Sequence, residues 1–474
     1  MVIAALLFYS SCLKDKYNAP IVNPSGYPDE VDAIITKKCA TSGCHNTVSH
    51  ALAANLDLST HAKMFNGNGI GAVVIPYRPD LSALLYFINT DTNAGIVQQP
   101  TMPVNDAPLS SSEYLIIKNW IAKGAPDKTG VVPFSGDLLR KKFYVINQSC
   151  DLLSVFDANS QLLMRYYTIG TNSALQETPQ DICFTPDGKY YLIDFANQDF
   201  VQMYDAATDS MVATITTGSG TSGLWGKMVV SSDSRHAYVP ELVTGRIAII
   251  DLLSKTSSIT SPTLFNLFSI AINATNDTLY AGQNPGNYLA KIPVNNPSAF
   301  TIHNLRLEPS NLDMSDIVFT PDHSRYFISC AHANRVMVYD AVTDSLVDTF
   351  HVALNPQQLA FSTVAPYLFV TCQDAINFAG VTGAVEVLNY NTLTHVKLIE
   401  VGYNPYGVVV DDDKGMVYVT NLTLGSSGHG SHHVSGCGGG QHNGSLSIIK
   451  LNSLQTLPLS PELSVNPYAI AIRP

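Results

Sequence analysis

The spacing of apolar positions changes near residue 138. Before it, apolar residues recur at helical intervals. The clearest case follows Ser110 to Glu113, a capping box: Leu115, Ile116, Trp120 and Ile121 form a helical stripe that Gly124 and Pro126 end. After it, short apolar runs bounded by turn residues predict strands. Residues 182–192 read as a strand, a tight turn at Pro186-Asp187-Gly188 and a second strand. Residues 201–208 supply a third strand and 211–216 a fourth.

The same pattern returns at 317–322 and 336–341. Phe184 and Phe319, like Asp205 and Asp340, lie 135 residues apart, three units of about 45. Looser copies begin at Met228, Ser269, Gln358 and Tyr406. Residues 466–472 then form a first strand with nothing after it, and its missing partners, 143–147 and 152–157, lie at the start of the region. A C-terminal strand that completes the N-terminal blade closes a ring and removes open sheet edges, so counting predicts seven blades. Separate β-sandwiches would not explain the constant period. With Tyr418-Val419-Thr420-Asn421, the repeats resemble seven-bladed YVTN-type propellers, similar to surface-layer and quinoprotein-like repeat proteins. The predicted fold is a small all-α domain at 28–130, then an all-β seven-bladed propeller at 138–474.

The expectation of a cytochrome rests on Cys39-Ala40-Thr41-Ser42-Gly43-Cys44-His45. Two thiols followed at once by a histidine suit covalent haem attachment, although Cys-x-x-Cys-His is the usual spacing. Zinc and a disulfide are the alternatives, and a second ligand pair at zinc-finger spacing is missing. Gln99-Pro100-Thr101-Met102-Pro103 offers a thioether in a proline-stiffened loop as a ligand opposite His45, against a core-filling role for Met102. Met64 is a rival thioether, and His50 and His61 are rival imidazoles. The stretch resembles a single-haem c-type cytochrome of exported bacterial proteins. That resemblance implies Cys39 and Cys44 as anchors, His45 and Met102 as iron ligands, and the Pro76 carbonyl as partner of the histidine's other ring nitrogen.

The first 27 residues read as a lipoprotein-like signal remnant and linker. An apolar run, 2–9, leads to Ser10-Ser11-Cys12 and a polar Lys14-Asp15-Lys16, which resembles the end of a bacterial lipoprotein signal lipidated at Cys12. No Lys or Arg precedes the run, which a start placed too far downstream would explain. Export follows, with a periplasmic, outer-membrane or cell-surface location and attachment to the membrane by the lipid anchor alone.

Composition narrows the classes further. Of 474 residues only 14% are charged, against roughly 25% in ordinary domains, and 46% are hydrophobic. The net charge of −12 with no basic run argues against nucleic acid as a partner. No apolar run reaches the roughly 18 residues of a spanning helix.

Cys150, His332 and Cys372 read as residues of one propeller rim. Blade seven carries the longest insertion, 422–444, with His429, His432, His433, Cys437 and His442, a candidate copper or zinc site. Its alternatives are a mobile loop or a bridge from Cys437 to Cys372 or Cys150. Cys183 and Cys330 read as core residues. Asp187, Asp205, Asp322 and Asp340 recur with the repeat and read as turn residues before acids or bases. The expected function is exported electron transfer through haem c, with a redox partner protein or a small-molecule donor or acceptor. An oxidoreductase with a rim metal that feeds the haem, and a cell-surface binding scaffold, are the alternatives.

Overall fold

Seven four-stranded antiparallel sheets follow one another along the second part of the chain in the computed structural model. It describes residues 25–69, 71–218, 224–260, 264–305, 311–375, 383–423, 437 and 442–474. Blade two shows the plan: Pro179–Phe184, Tyr190–Phe195, Phe200–Asp205 and Met211–Thr216 pair in order. First strands of adjoining blades touch one another, so they surround the axis. Middle strands lie between neighbouring blades. In blade one, Lys142–Asn147 and Leu152–Asp157 are buried at every position, whereas the outer strand of blade two, Met211–Thr216, buries only Ile215.

Turn chemistry repeats with the blades. The hydroxyls of Thr185, Ser231 and Thr320 donate to Asp187, Asp233 and Asp322 two residues on. Asp205 accepts from the Ala207 and Thr208 amides, and Asp340 from those of Val342 and Thr343. These carboxylates stand in for backbone acceptors in tight turns.

The chain ends close the ring. Pro467–Ile472 pairs with Lys142–Asn147, placing Ile472 opposite Phe143 and Ile470 opposite Val145. Phe143 stacks on Phe156 at 4.6 Å within the blade and on Tyr418 of blade seven at 4.1 Å. Such ring pairs contribute about 0.5–1.5 kcal/mol beyond their buried area. Beside this seam a disulfide joins Cys150 to Cys437, 287 residues apart, and the Ser464 hydroxyl lies 3.2 Å from the Cys150 sulfur. The Gln148 amide donates to the Asn466 carbonyl one residue before the closing strand.

Polar groups from several blades meet at the axis. The Lys227 ammonium of blade three lies 2.8 Å from Asp316 of blade five, with blade four between them in the ring. Asp316 and Asp181 also accept the Leu359 and Met228 amides of the next blades. Tyr406 and Tyr468 stack at 3.6 Å. Burial pushes the Asp181 carboxyl up to about 6, against the Lys227 ammonium and the Met228 amide. Burial and the nearby Asp181 push Asp194 in the same direction.

The chain before the propeller is helical: α1 (Asp29–Ile34), α2 (His61–Met64), α3 (Ala83–Ile88) and α4 (Ser111–Ala122). The predicted capping box opens α4, with the Ser110 hydroxyl bonded to the Glu113 amide and the Glu113 carboxylate to the Ser110 amide. Its buried stripe is Tyr114, Ile117, Trp120 and Ile121. Leu115, expected inside, is half exposed and Ile116 only partly covered, because the first turns of the helix pack on the core through Tyr114 and Ile117 instead. This region rests on the closing blades. Ile75 enters the cluster of Phe143 and Tyr418, and the Arg165 guanidinium lies 5.5 Å over the Tyr77 ring. Among the described residues no helix is long and apolar enough to cross a membrane.

Two outcomes follow for stability. Replacing Cys150 and Cys437 by serine lowers the unfolding free energy in urea by on the order of 3 kcal/mol. Reductant lowers the wild type equally and leaves the double variant unmoved. Equal stability of the two under oxidising conditions would contradict the bridge. The second concerns pH. A carboxyl whose folded pKa, about 6 at Asp181, exceeds its unfolded value of about 3.9 stabilises the fold fully below pH ~4 and loses that contribution as pH rises through ~6. Asp181→Asn keeps an acceptor for the Met228 amide and does not ionise. The Tm of the variant minus that of the wild type therefore rises by a few degrees between pH ~4 and ~7, and a constant difference would contradict the assignment.

Candidate functional site

Helix α1 carries Asp29, Glu30 and Asp32 in its first turn, where acidic side chains suit the helix dipole. It runs into a wider helical turn, Ile35–Cys39, that delivers Cys39 to the core. The chain then curls back. The His45 amide donates to the Cys39 carbonyl at 3.1 Å and the Cys44 amide to Thr41 at 3.1 Å. Gly43 sits at φ +81°, a left-handed position that other residues adopt at a cost. Asn46 stitches the loop: its amide nitrogen donates to the Thr41 carbonyl, and its oxygen accepts from the Val48 and Ser49 amides. The Ser49 hydroxyl bonds the Cys44 carbonyl at 2.7 Å. The two extra residues between the cysteines are thus taken up by an ordered loop.

Cys39 and Cys44 are free thiols, the first buried and the second half-buried. Burial, with Cys44 nearby, pushes the Cys39 thiol up to about 12. Nδ1 of His45 lies 3.2 Å from the Leu56 carbonyl oxygen. Burial lowers the His45 pKa although the Leu56 and Ala53 carbonyls oppose it, which favours a neutral imidazole. A neutral ring with one nitrogen held by a carbonyl has the other to offer a metal.

Pro76 was the expected partner of that ring, and the structure gives Leu56 instead. Pro76 is buried in a turn whose neighbours are committed elsewhere. Ile75 bonds Ser82 and faces the propeller core, and the Tyr77 amide donates to Ile121.

Met102 is half-buried against the apolar cluster that contains Cys39, Ile34, Ile117 and Trp120. Its amide donates to the Phe87 carbonyl at 2.7 Å. The thiol motif and α4 are tied directly: the Lys38 ammonium lies 2.8 Å from Glu113, whose carboxyl Lys38 and Ser110 hold down at about 2. The rival residues sit otherwise. Nε2 of His61 lies 2.9 Å from the Ala125 carbonyl oxygen, edge-on to Trp120, and Met64 is fully buried. His50 lines a cleft at the border of the propeller.

On the propeller, the structure resolves the bridge alternatives in favour of Cys150. A disulfide sulfur is not a thiolate ligand, so Cys437 is withdrawn from any metal set while oxidised. Cys372 is a fully buried residue of the strand Tyr367–Asp374, not a rim group, because that strand runs on beneath the rim. Cys330 is likewise buried and Cys183 lies on an inner strand, half-buried. His442 keeps a buried Nδ1 without a hydrogen-bond partner among the described residues. His429, His432, His433 and Cys12 lie outside the described residues. Among the described residues no three His, Cys, Asp or Glu side chains converge as metal ligands. The axial group around Lys227 and Asp316 was not foreseen. Only the appearance of polar residues at first-strand positions, where apolar ones dominate, signalled it.

No family model and no curated protein matches this chain. Among solved structures it is similar to a chain of Kuenenia stuttgartiensis hydrazine synthase, at 15% identity with a TM-score of 0.48. The match covers 63% of this chain and 92% of that one. At this level the likeness says nothing of activity.

Proposed function

We propose that this protein is an exported one-electron carrier whose residues 28–130 form a c-type cytochrome domain with one covalent haem, the YVTN-type propeller serving as its docking or substrate platform. The observation that carries the reading is the meeting of Cys39 and Met102 on one apolar core. His45 follows closely on Cys39, its amide bonded to the Cys39 carbonyl, and the Leu56 carbonyl orients its ring. A thiol and a thioether on one apolar core, with a second thiol and an oriented imidazole a few residues along the chain, suit haem better than a harder metal.

Cys39 and Cys44 would bond the haem covalently, and His45 and Met102 would hold its iron. When bound, the haem supplies a one-electron Fe(III)/Fe(II) couple whose potential a Met/His pair raises. The chain's part is orientation. The Leu56 carbonyl holds the His45 ring, Asn46 braces the loop between the thiols, and Lys38 with Glu113 ties that loop to α4.

Lipidation at Cys12 would hold the protein at the periplasmic face or the cell surface, where a redox partner protein or a small donor or acceptor can reach it. A second reading is an oxidoreductase in which copper or zinc at His429, His432, His433 and His442 feeds the haem. The unpartnered Nδ1 of His442 is the feature in its favour.

Spectroelectrochemical titration of protein matured with c-type assembly enzymes tests the reading. A single reversible one-electron couple is expected. Met102→His lowers its midpoint by on the order of 0.1 V, part of the roughly 0.8 V that axial ligands command. Absence of any reversible couple, or a midpoint indifferent to Met102, overturns it.

A further inference from the structure

We infer that the cleft between the helical region and the end of blade seven binds a neutral polyhydroxylated small molecule of mono- or disaccharide size. The cleft has a volume of about 570 Å³, within the roughly 300–1,000 Å³ of small-molecule sites. Residues of the segment 47–69 form one wall and Pro458 and Leu459 the other.

Its charges cancel. The Lys63 ammonium lies 2.9 Å from Asp57 and also donates to the hydroxyls of Thr47 and Ser59, so all its N–H groups are engaged. Although burial opposes it, bonds from Ser59, Lys63 and Thr47 hold the Asp57 carboxyl well below the usual range. A cation in the cleft would meet the ammonium, an anion the carboxylate, and neither gains net attraction.

What remains is neutral hydrogen bonding. The exposed carboxamides of Asn55 and Asn66 make no side-chain hydrogen bond among the described residues and line the cleft. A carboxamide both donates and accepts, as a hydroxyl does, so a ligand with several hydroxyls answers both groups. Pro458 and Leu459 give the apolar face of a sugar or cyclitol ring a surface to lie on. This site goes beyond the electron-carrier reading and does not depend on haem. The cleft does border that site, because Asn55 and Asp57 flank Leu56, the residue that orients His45.

Calorimetric titration of the full chain with glucose, cellobiose and myo-inositol, against gluconate and glucosamine, is the test. A Cβ added at Gly69 meets no atom within 4 Å, and the backbone there is not left-handed, so Gly69→Phe adds bulk at the cleft lining without backbone strain. At least one neutral probe should bind in the millimolar range or tighter, and the charged analogues about tenfold more weakly. Binding should weaken at least about tenfold in Gly69→Phe and in the Asn55→Gly, Asn66→Ala double variant, with Tm nearly unchanged, since glycine accepts the left-handed backbone at residue 55. No heat from any neutral probe, equal affinity in Gly69→Phe, or equal binding of the charged analogues overturns the inference. None of these readings uses the haem, so they stand apart from the redox result.

Discussion

The pairing of Pro467–Ile472 with Lys142–Asn147 is the constraint on which the rest of the molecule depends. A propeller blade leaves sheet edges and two apolar faces that only its neighbours can cover. Until the last strand joins the first blade, blade one lacks its inner strand and the ring has two ends. Closure brings Phe143 onto Tyr418, places Cys150 beside Cys437 and sets Gln148 against Asn466. These residues are some 270 to 320 positions apart in the chain, and their contacts form only once the ring is shut. The loop entropy is large, but it grows only logarithmically with length, and the hydrophobic faces of two blades are gained at once.

The helical region inherits its position from that seam. Ile75 inserts among the side chains of blades one and seven, and Tyr77 meets Arg165 of blade one. The segment carrying Ile75 and Pro76 therefore turns toward the propeller, and the task of holding His45 falls to Leu56 on the opposite side of the loop. The same placement leaves a cleft between residues 47–69 and blade seven. Fold closure, the histidine's orientation and the cleft thus share one origin.

Local signals were legible in the chain and long-range ones were not. The turn at Pro186-Asp187-Gly188 and its relatives announce strands because each Thr–Asp or Ser–Asp pair satisfies its own turn, without help from elsewhere. The capping box of α4 is local in the same way. Which stripe α4 buries depends on where its neighbours sit, and Leu115 was misplaced for that reason. The Leu56 carbonyl has no side-chain signature, and any residue there would present one. Lys227 and Asp316 meet only because the ring brings blades three and five to one axis. Cys372 looked like a rim group because strand Tyr367–Asp374 is longer than the repeat suggests.

The redox role proposed for the helical region turns on whether the loop from Cys39 to His45 carries a covalent group. Mass spectrometry of proteolytic fragments from protein matured with c-type assembly enzymes tests it most directly. The fragment holding Cys39 and Cys44 should carry one haem, retained under denaturing acid and absent from the fragments with Cys183, Cys330 or Cys372. A fragment with two unmodified thiols, or with Cys39 and Cys44 joined to each other, would contradict it.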